Sequence, residues 1–153
     1  MAKVYEYLDD YAVGERFISP ARTITEADIV NFAGITGDWH PLHTDVEYAA
    51  RTPYRERIAH GMLILSIGLA LPLRLGGHSN FRPESFIAFY GMDNVRFMAP
   101  TKIGDTIHCE VEVTEITVKG KSGGVLTTQN QIKNQRGEVL VSYVVKVLRD
   151  KRP

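Results

Sequence analysis

The chain has 153 residues, of which 44% are hydrophobic and 24% are charged, an ordinary composition for one globular domain. Eighteen Lys and Arg balance eighteen Asp and Glu, so the net charge gives no reason to expect a nucleic acid or an anionic membrane surface as partner. The single cysteine excludes an internal disulfide and a structural zinc site built from cysteines.

No targeting or membrane segment is predicted. The first ten residues, MAKVYEYLDD, lack the apolar run of a signal peptide. The one long apolar segment, Gly61–Leu75, is shorter than the roughly 20 residues of a membrane span and contains Pro72. We therefore expect one soluble domain over residues 1–153, located in the cytoplasm.

The first part of the chain predicts short strands and helices. Glu15–Ile24 has strand character, with Pro20 marking an edge or a break. Thr25 and Asp28 have the spacing of a helix N-terminal cap. The apolar residues that follow recur on one helical face until Gly37. A further short helix is predicted over Asp45–Arg51.

The segment Ala59–Leu75 is apolar on every side, so a helix here must be enclosed by other structure. The second half of the chain contains four segments that are predicted to be strands, because they alternate apolar and polar residues or are rich in β-branched ones. They are Ile87–Met98, interrupted near Gly91–Asn94, then Ile107–Thr114 with a slip near Glu115, Val125–Lys133 and Val139–Leu148. The pattern favours an α+β domain in which an antiparallel sheet curls around one helix, and exposed edge strands favour pairing with a second subunit. Cys109 alternates with apolar residues, which favours a core residue over a nucleophile.

The heptapeptide GDWHPLH, Gly37–His43, concentrates ionisable side chains. One interpretation is a metal site built from His40, His43 and an Asp, but the spacings match no strong metal motif. A second is acid–base chemistry, since Asp38 and His43 suit the activation of a water near neutral pH. A third is a surface turn with capping residues, which the heptapeptide alone favours.

His60 and Gly61 stand at the predicted start of the apolar helix. The first N–H groups of a helix lack internal partners and lie at its positive end, where an oxyanion is favoured. A glycine there admits close approach of a substrate carbonyl; the alternative is that Gly61 only allows tight packing. An Asp/His pair and such a terminus are the parts needed to add water across a polarised double bond.

The segment Gly37–Met62, GDWHPLHTDVEYAARTPYRERIAHGM, resembles the hydratase signature of the MaoC-like (R)-specific enoyl-CoA hydratase/dehydratase family. The matching positions are Asp38, Pro41, His43, Asp45, Ala59, His60, Gly61 and Met62. Fainter similarity covers Phe32–Gly34 and Val95–Thr106. The resemblance implies a hot-dog fold, in which an antiparallel sheet wraps a long central helix, usually as a homodimer, and acyl-CoA thioesters as substrates with no metal and no further cofactor.

In such enzymes the matching Asp and His activate one water. The resemblance therefore assigns the acid–base roles to Asp38 and His43, and the oxyanion role to the backbone N–H of Gly61. Ser66 matches a supporting serine of some members, although a helix serine can equally bond back to its own turn. His40 departs from the family pattern, which has Asn before the proline. This histidine either substitutes as a donor, changes the pH profile, marks a subfamily with another substrate, or signals lost activity.

The predicted function is thus that of a hydro-lyase acting on a 2-enoyl-CoA or a related unsaturated acyl-CoA. A hot-dog acyl-CoA thioesterase and a non-catalytic acyl-CoA-binding module are the alternatives. Four arginines are candidates to meet the phosphates of CoA: Arg51, Arg55, Arg57 and Arg82. The polar segment Gly76–Ser85 is interpreted as a lid, a wall of the acyl pocket, or a plain connecting loop.

Overall fold

The structure is a computed structural model that describes residues 5–74 and 85–153. The helices are α1 (Glu26–Thr36), α2 (Pro41–Thr44), α3 (Val46–Ala50) and α4 (Gly61–Ala70), and α4 continues as a 3-10 turn over Leu71–Arg74. The strands are β1 (Arg16–Ile18), β2 (Arg22–Thr23), β3 (Phe86–Phe97), β4 (Thr106–Lys119), β5 (Gly123–Lys133) and β6 (Val139–Asp150). Arg82 and the polar segment Gly76–Ser85, apart from Ser85, lie outside the described residues.

All the strands belong to an antiparallel sheet with the order β1-β4-β5-β6-β3, and β2 also pairs with β4. The prediction of a break at Pro20 is confirmed, because β1 and β2 are separate short strands on either side of it. The strand predicted over Val125–Lys133 is confirmed as β5, which lies at the centre of the sheet despite its largely polar sequence. Its buried Asn130 donates from Nδ2 to the backbone oxygen and the hydroxyl of Thr128, so its polar side chain is satisfied within the sheet.

The two predicted irregularities are register shifts within continuous strands. In β3 the pairing with β6 shifts between Phe89 and Gly91 and again between Asp93 and Arg96, so the strand is bulged where an interruption was expected. In β4 the pairing with β5 shifts just before Glu115, as predicted.

Helix α4 lies against the sheet and forms the centre of the hydrophobic core. Its buried Leu63, Ile64 and Leu65 pack in one cluster with residues of β4, β5 and β6 and with α1. The approach is close at Gly68, where an added Cβ would lie 2.1 Å from Cδ1 of Ile132. A glycine is therefore required for this contact between helix and sheet. The arrangement confirms the predicted α+β fold with the sheet around one apolar helix.

One stripe of α4 remains uncovered in the single chain. Met62 is 55% exposed, Leu73 is 50% exposed, and Ser66 lies between them on the same side. The expectation that the helix is enclosed on every side is therefore wrong for the isolated chain. None of the helices in residues 5–74 and 85–153 has the length and apolar character that a bilayer crossing requires.

Cys109 is fully buried on β4, and its Sγ lies 3.6 Å from the hydroxyl oxygen of Tyr143. Burial raises the pKa of the thiol to about 11. The prediction that Cys109 is a core residue is confirmed.

Candidate active site

The end of α1 places Asp38. The helix begins at a capping box, in which Thr25 Oγ1 accepts from the N–H of Asp28 and the Asp28 carboxylate accepts from the N–H of Thr25. It ends at Gly37, whose φ of 77° is the left-handed conformation that glycine adopts most easily. Asp38 follows directly, is exposed, and accepts a hydrogen bond on Oδ1 from the N–H of His40 at 3.3 Å.

His40 caps helix α2. Its Nδ1 accepts from the backbone N–H of Leu42 at 3.1 Å, and Pro41 occupies the first helical position. An Asn side chain performs the same capping with its amide oxygen, so the local structure accounts for His40 where the family pattern has Asn. In the neutral ring the proton must reside on Nε2, because Nδ1 is the acceptor.

His43 lies one turn along α2 and is half-buried. Its Nδ1 is 2.7 Å from the backbone oxygen of Ile58, which can only accept, so Nδ1 carries the proton. Nε2 of the neutral ring is then a hydrogen-bond acceptor. Burial lowers the pKa of His43, and the nearby His60 and His40 act in the same direction, against the Ile58 hydrogen bond and the charge of Asp38. The imidazole is therefore held neutral at pH 7 and is suited to accept a proton.

His60 completes the cluster, and its contribution was not predicted from the sequence beyond its place beside Gly61. The ring is only 3% exposed, and its Nε2 donates to the backbone oxygen of Asp38 at 2.9 Å. It stacks on His43 with a centroid distance of 3.9 Å and an interplanar angle of 31°. A ring stacked across two distant segments leaves no signal in residue spacing, which explains why it was missed.

One carboxylate oxygen of Asp38 and one ring nitrogen each of His43 and His60 all lie within 4.8 Å of one another. A metal ion needs nitrogen lone pairs that converge on one point about 2.0–2.1 Å away. Here the two imidazoles are stacked, and one nitrogen of each is bonded to a backbone carbonyl. The arrangement suits a proton-transfer pair beside a supporting ring better than a metal ligand set.

Gly61 begins α4, and no side chain caps this helix terminus. An added Cβ on Gly61 would lie 2.8 Å from two ring atoms of Phe97, so the aromatic ring packs directly on the glycine. Gly61, Phe97 and His43 share the lining of a cavity of about 410 Å³, whose other walls include Ile64 and Val141. The helix terminus and the imidazole therefore face the same space.

A separate apolar cavity of about 240 Å³ lies near the other end of α4, between Leu69, Leu73 and the sheet. None of Asp38, His43 and Gly61 lines it. His43 and Gly61 instead line the cavity at the N-terminal end of α4, and Asp38 offers its carboxylate to the same cluster as His43.

The remaining candidates are placed as follows. Ser66 Oγ donates to the backbone oxygen of Met62 at 2.7 Å, so it bonds back to its own turn. Arg57 forms an ion pair with Glu26 at 2.6 Å. Arg51 and Arg55 are exposed and take part in none of the ion pairs among the described residues.

Comparison with known proteins identifies relatives over most of the chain. The family model of the MaoC like domain matches residues 10–135. The chain is 40% identical over 114 residues to "Protein MaoC" of Klebsiella aerogenes, an alignment that covers 74% of this chain and 32% of that protein. It is 37% identical over 119 residues to an (R)-specific enoyl-CoA hydratase of Rhodospirillum rubrum, covering 77% and 76% of the two chains. The chain thus spans about a third of the first relative and most of the second.

Solved structures agree with the architecture. The X-ray structure of a protein from Archaeoglobus fulgius, described as a monoamine oxidase regulatory protein, superposes with a TM-score of 0.89 and 42% identity over 96% of this chain and 95% of that one. A Mycobacterium tuberculosis protein described as a double hot-dog fold superposes with a TM-score of 0.80 at 18% identity, over 96% of this chain and 44% of that one, and supports the fold alone. The predicted hot-dog fold is confirmed.

Proposed function

Because this chain belongs to the family of MaoC-like domain proteins, we propose that it is a hydro-lyase that adds water to, or removes it from, the double bond of a 2-enoyl-CoA thioester. The observation that carries the proposal is the convergence of Asp38 and His43 beside the uncapped start of α4. The chemistry follows from these three groups and needs no metal or further cofactor.

In the hydration direction, Asp38 and a neutral His43 hold one water between them. His43 accepts a hydrogen bond from the water on Nε2, since Nδ1 is committed to Ile58. Asp38 takes a proton from the water while the oxygen of that water forms the bond to C3 of the substrate. The π electrons of the C2–C3 bond move toward the thioester carbonyl. The pair then returns the proton to C2, so neither side chain is changed at the end of the cycle.

The thioester oxygen gains negative charge in this step, and we assign its stabilisation to the N–H of Gly61. Helix N–H groups at the first turn have no partner within the helix and lie at its positive end. Gly61 has no side chain of its own, and the exposed Phe97 ring that packs on it must turn aside for the thioester to come close to the backbone. A donor already oriented toward the developing charge lowers the barrier of the reaction.

We also propose that the active form is a homodimer. Strand β3 is at one edge of the sheet, is 12 residues long, and carries exposed apolar side chains such as Ile87 and Tyr90. The uncovered stripe of α4 and the exposed Phe97 and Met98 beside the cavity add to the same apolar surface. A long edge strand with exposed apolar side chains favours pairing with another strand. A second copy would thereby cover the cavity that His43 and Gly61 line.

The test uses purified protein with crotonyl-CoA. Hydration removes the absorbance of the enoyl thioester and leaves CoA attached, whereas a thioesterase releases a free thiol that a disulfide reagent detects. A non-catalytic binding module would bind the thioester with neither change. Loss of the enoyl band without thiol release, and with the (R)-3-hydroxyacyl-CoA as product, is the expected result. Thiol release as the main reaction contradicts the proposal.

A further inference from the structure

His60 contacts both members of the proposed acid–base pair, Asp38 through a hydrogen bond and His43 through ring stacking. We infer that His60 is a positioning residue of the hydration reaction: its Nε2–H fixes the backbone of Asp38 while its ring fixes the plane of His43. This inference rests on the proposed function for its activity readout. It concerns a side chain that acts through Asp38 and His43 and does not itself touch the water.

The hydrogen bond to Asp38 anchors an exposed loop to the core. Asp38, Trp39 and His40 are all exposed. The other hydrogen bonds recorded for Asp38 join it to Thr36 and His40, both within two residues. The bond from His60 Nε2 spans 22 residues and comes from a side chain that is 97% buried. Because the carbonyl belongs to Asp38 itself, holding it restricts the direction in which the carboxylate leaves the backbone.

The stacking contact restricts His43. The bond from Nδ1 to Ile58 fixes one atom of that imidazole, but a single hydrogen bond leaves the ring free to tilt about it. His60 lies 3.9 Å away at 31°, and the Phe32 ring contacts His60 with a centroid distance of 5.0 Å and an interplanar angle of 54°. The contact with His60, which Phe32 holds in turn, keeps Nε2 of His43 pointing in one direction. His60 is also the residue that precedes Gly61, and its backbone oxygen accepts the first hydrogen bond of α4, from Ile64 at 3.2 Å. His60 thus contacts Asp38 and His43 and also begins the helix terminus that is assigned to the oxyanion.

A purely structural role does not explain a histidine at this place. Nδ1 of His60 is buried and has no hydrogen-bond partner among the described residues. A buried polar atom without a partner disfavours the folded state. A phenylalanine would stack equally well and would remove that cost. The histidine is therefore retained for the donor on Nε2, which a stable core does not require.

Three variants separate the two contacts. His60→Phe keeps a flat ring and loses the donor, His60→Gln keeps a donor at similar reach and loses the ring, and His60→Leu loses both. With crotonyl-CoA, we expect kcat of His60→Leu to fall by about 100-fold, the size of effect that a displacement of about 1 Å produces in an active site. The Phe and Gln variants should each recover part of that loss, while KM changes by no more than about threefold, because Asp38 and His43 act on the water in the transition state.

Stability provides the second readout. His60→Phe should unfold at the same temperature as the wild type or higher, although its kcat is lower. Tyr143→Phe is the matched control, since it removes a buried polar atom from the core next to Cys109 and away from the site. A kcat of His60→Leu within twofold of the wild type overturns the inference. So does a loss of kcat in the His60 variants that the control reproduces at equal loss of thermal stability.

The result can be told apart from a failure of the proposed function. If the wild type does not turn over any enoyl-CoA, that function fails, while nitrogen NMR of the histidine rings still tests His60. The wild type should show His60 protonated on Nε2 and His43 on Nδ1, with the His43 signals shifted in His60→Leu. His43 signals that coincide in the two proteins would show that the stack does not position the ring.

Discussion

The imidazole rings of His43 and His60 stack at a centroid distance of 3.9 Å, although 16 residues of chain lie between them. Each ring donates from one nitrogen to a backbone carbonyl in the segment that carries the other ring. His43 donates to Ile58, two residues before His60, and His60 donates to Asp38, five residues before His43. Two positive charges at this distance in a partly buried site would repel strongly. The stack therefore disfavours a state in which both rings are charged at once.

This relationship predicts the pH dependence of the reaction. Burial is the main cause that lowers the pKa of His43 below its ordinary value of about 6.5. The reaction needs the neutral ring, so the acid limb of kcat/KM, as His43 becomes protonated, should have its midpoint below pH 6.5. A pH–rate profile with crotonyl-CoA measures this limb, and a fall centred at or above pH 6.5 would contradict it.

The same shift has a consequence for stability. The folded state binds the proton on His43 more weakly than the unfolded chain does, so protonation favours unfolding. The contribution of His43 to stability is present above pH 6.5 and is lost as the pH falls toward the pKa of the folded state. Thermal unfolding followed across this range should show the loss in the wild type and less of it in His43→Gln.

The acid–base pair is tested by two substitutions. Asp38→Asn keeps the shape and removes the base, and His43→Ala removes the acceptor that holds the water. Each should lower kcat for crotonyl-CoA by about 100-fold or more, the range that general acid–base catalysis contributes. Asp45→Asn is the matched control, because Asp45 caps α3 by accepting from the N–H of Tyr48 at 2.9 Å, a bond that Asn also makes. Rates of both site variants near the wild-type value would show that the roles are assigned wrongly.

His40 should tolerate Asn and not Ala. The Asn side chain can accept from the N–H of Leu42 as Nδ1 does now, so His40→Asn should keep kcat within a few fold. His40→Ala removes the cap of the helix that carries His43, which costs about 1 kcal/mol and should lower kcat as well. Steady-state kinetics and thermal unfolding of both variants check this. Equal activity of the Ala and Asn variants would exclude capping as the function of His40.

Gly61 should not accept a side chain without loss of activity. In Gly61→Ala the new methyl group would lie 2.8 Å from the ring of Phe97, and the exposed ring must turn away within the cavity. We expect a folded protein with kcat/KM lower by about tenfold or more, because the methyl group and the displaced Phe97 ring hold the thioester oxygen away from the N–H that alanine keeps. Gly34→Ala is the control, because an added Cβ there meets nothing closer than 4.0 Å and favours the helix. Unchanged kcat/KM in Gly61→Ala would remove this residue from the oxyanion role.

The dimer is tested at the edge of the sheet. Ile87 is 53% exposed on β3, so Ile87→Asp should place a charge in the interface and shift the protein toward monomer. Val118→Asp changes a side chain that is 52% exposed on β4 and should leave the oligomeric state as it is. Light scattering after size-exclusion chromatography gives the mass of each. A wild type that is monomeric at micromolar concentration would contradict the proposal.

The sequence by itself determined the order of the elements and the chemistry of the loop. Local rules act within a few residues, so the capping box at Thr25, the helix end at Gly37 and the alternation around Cys109 could be predicted without a structure. The resemblance of Gly37–Met62 to a hydratase signature selected Asp38, His43 and Gly61, and the fold then placed His43 and Gly61 on one cavity.

Only the tertiary structure decided which residues support that site and which surface stays open. The stack of His60 on His43, the bond of His60 to Asp38 and the contact of Phe97 with Gly61 join segments far apart in the chain. Ser66 has the same sequence neighbours whether it faces a ligand or its own turn, and its bond to Met62 is visible only in the folded helix. The polar sequence of β5 predicted a strand over Val125–Lys133 but not its central, buried position, because burial depends on the two strands that flank it and not on its own alternation.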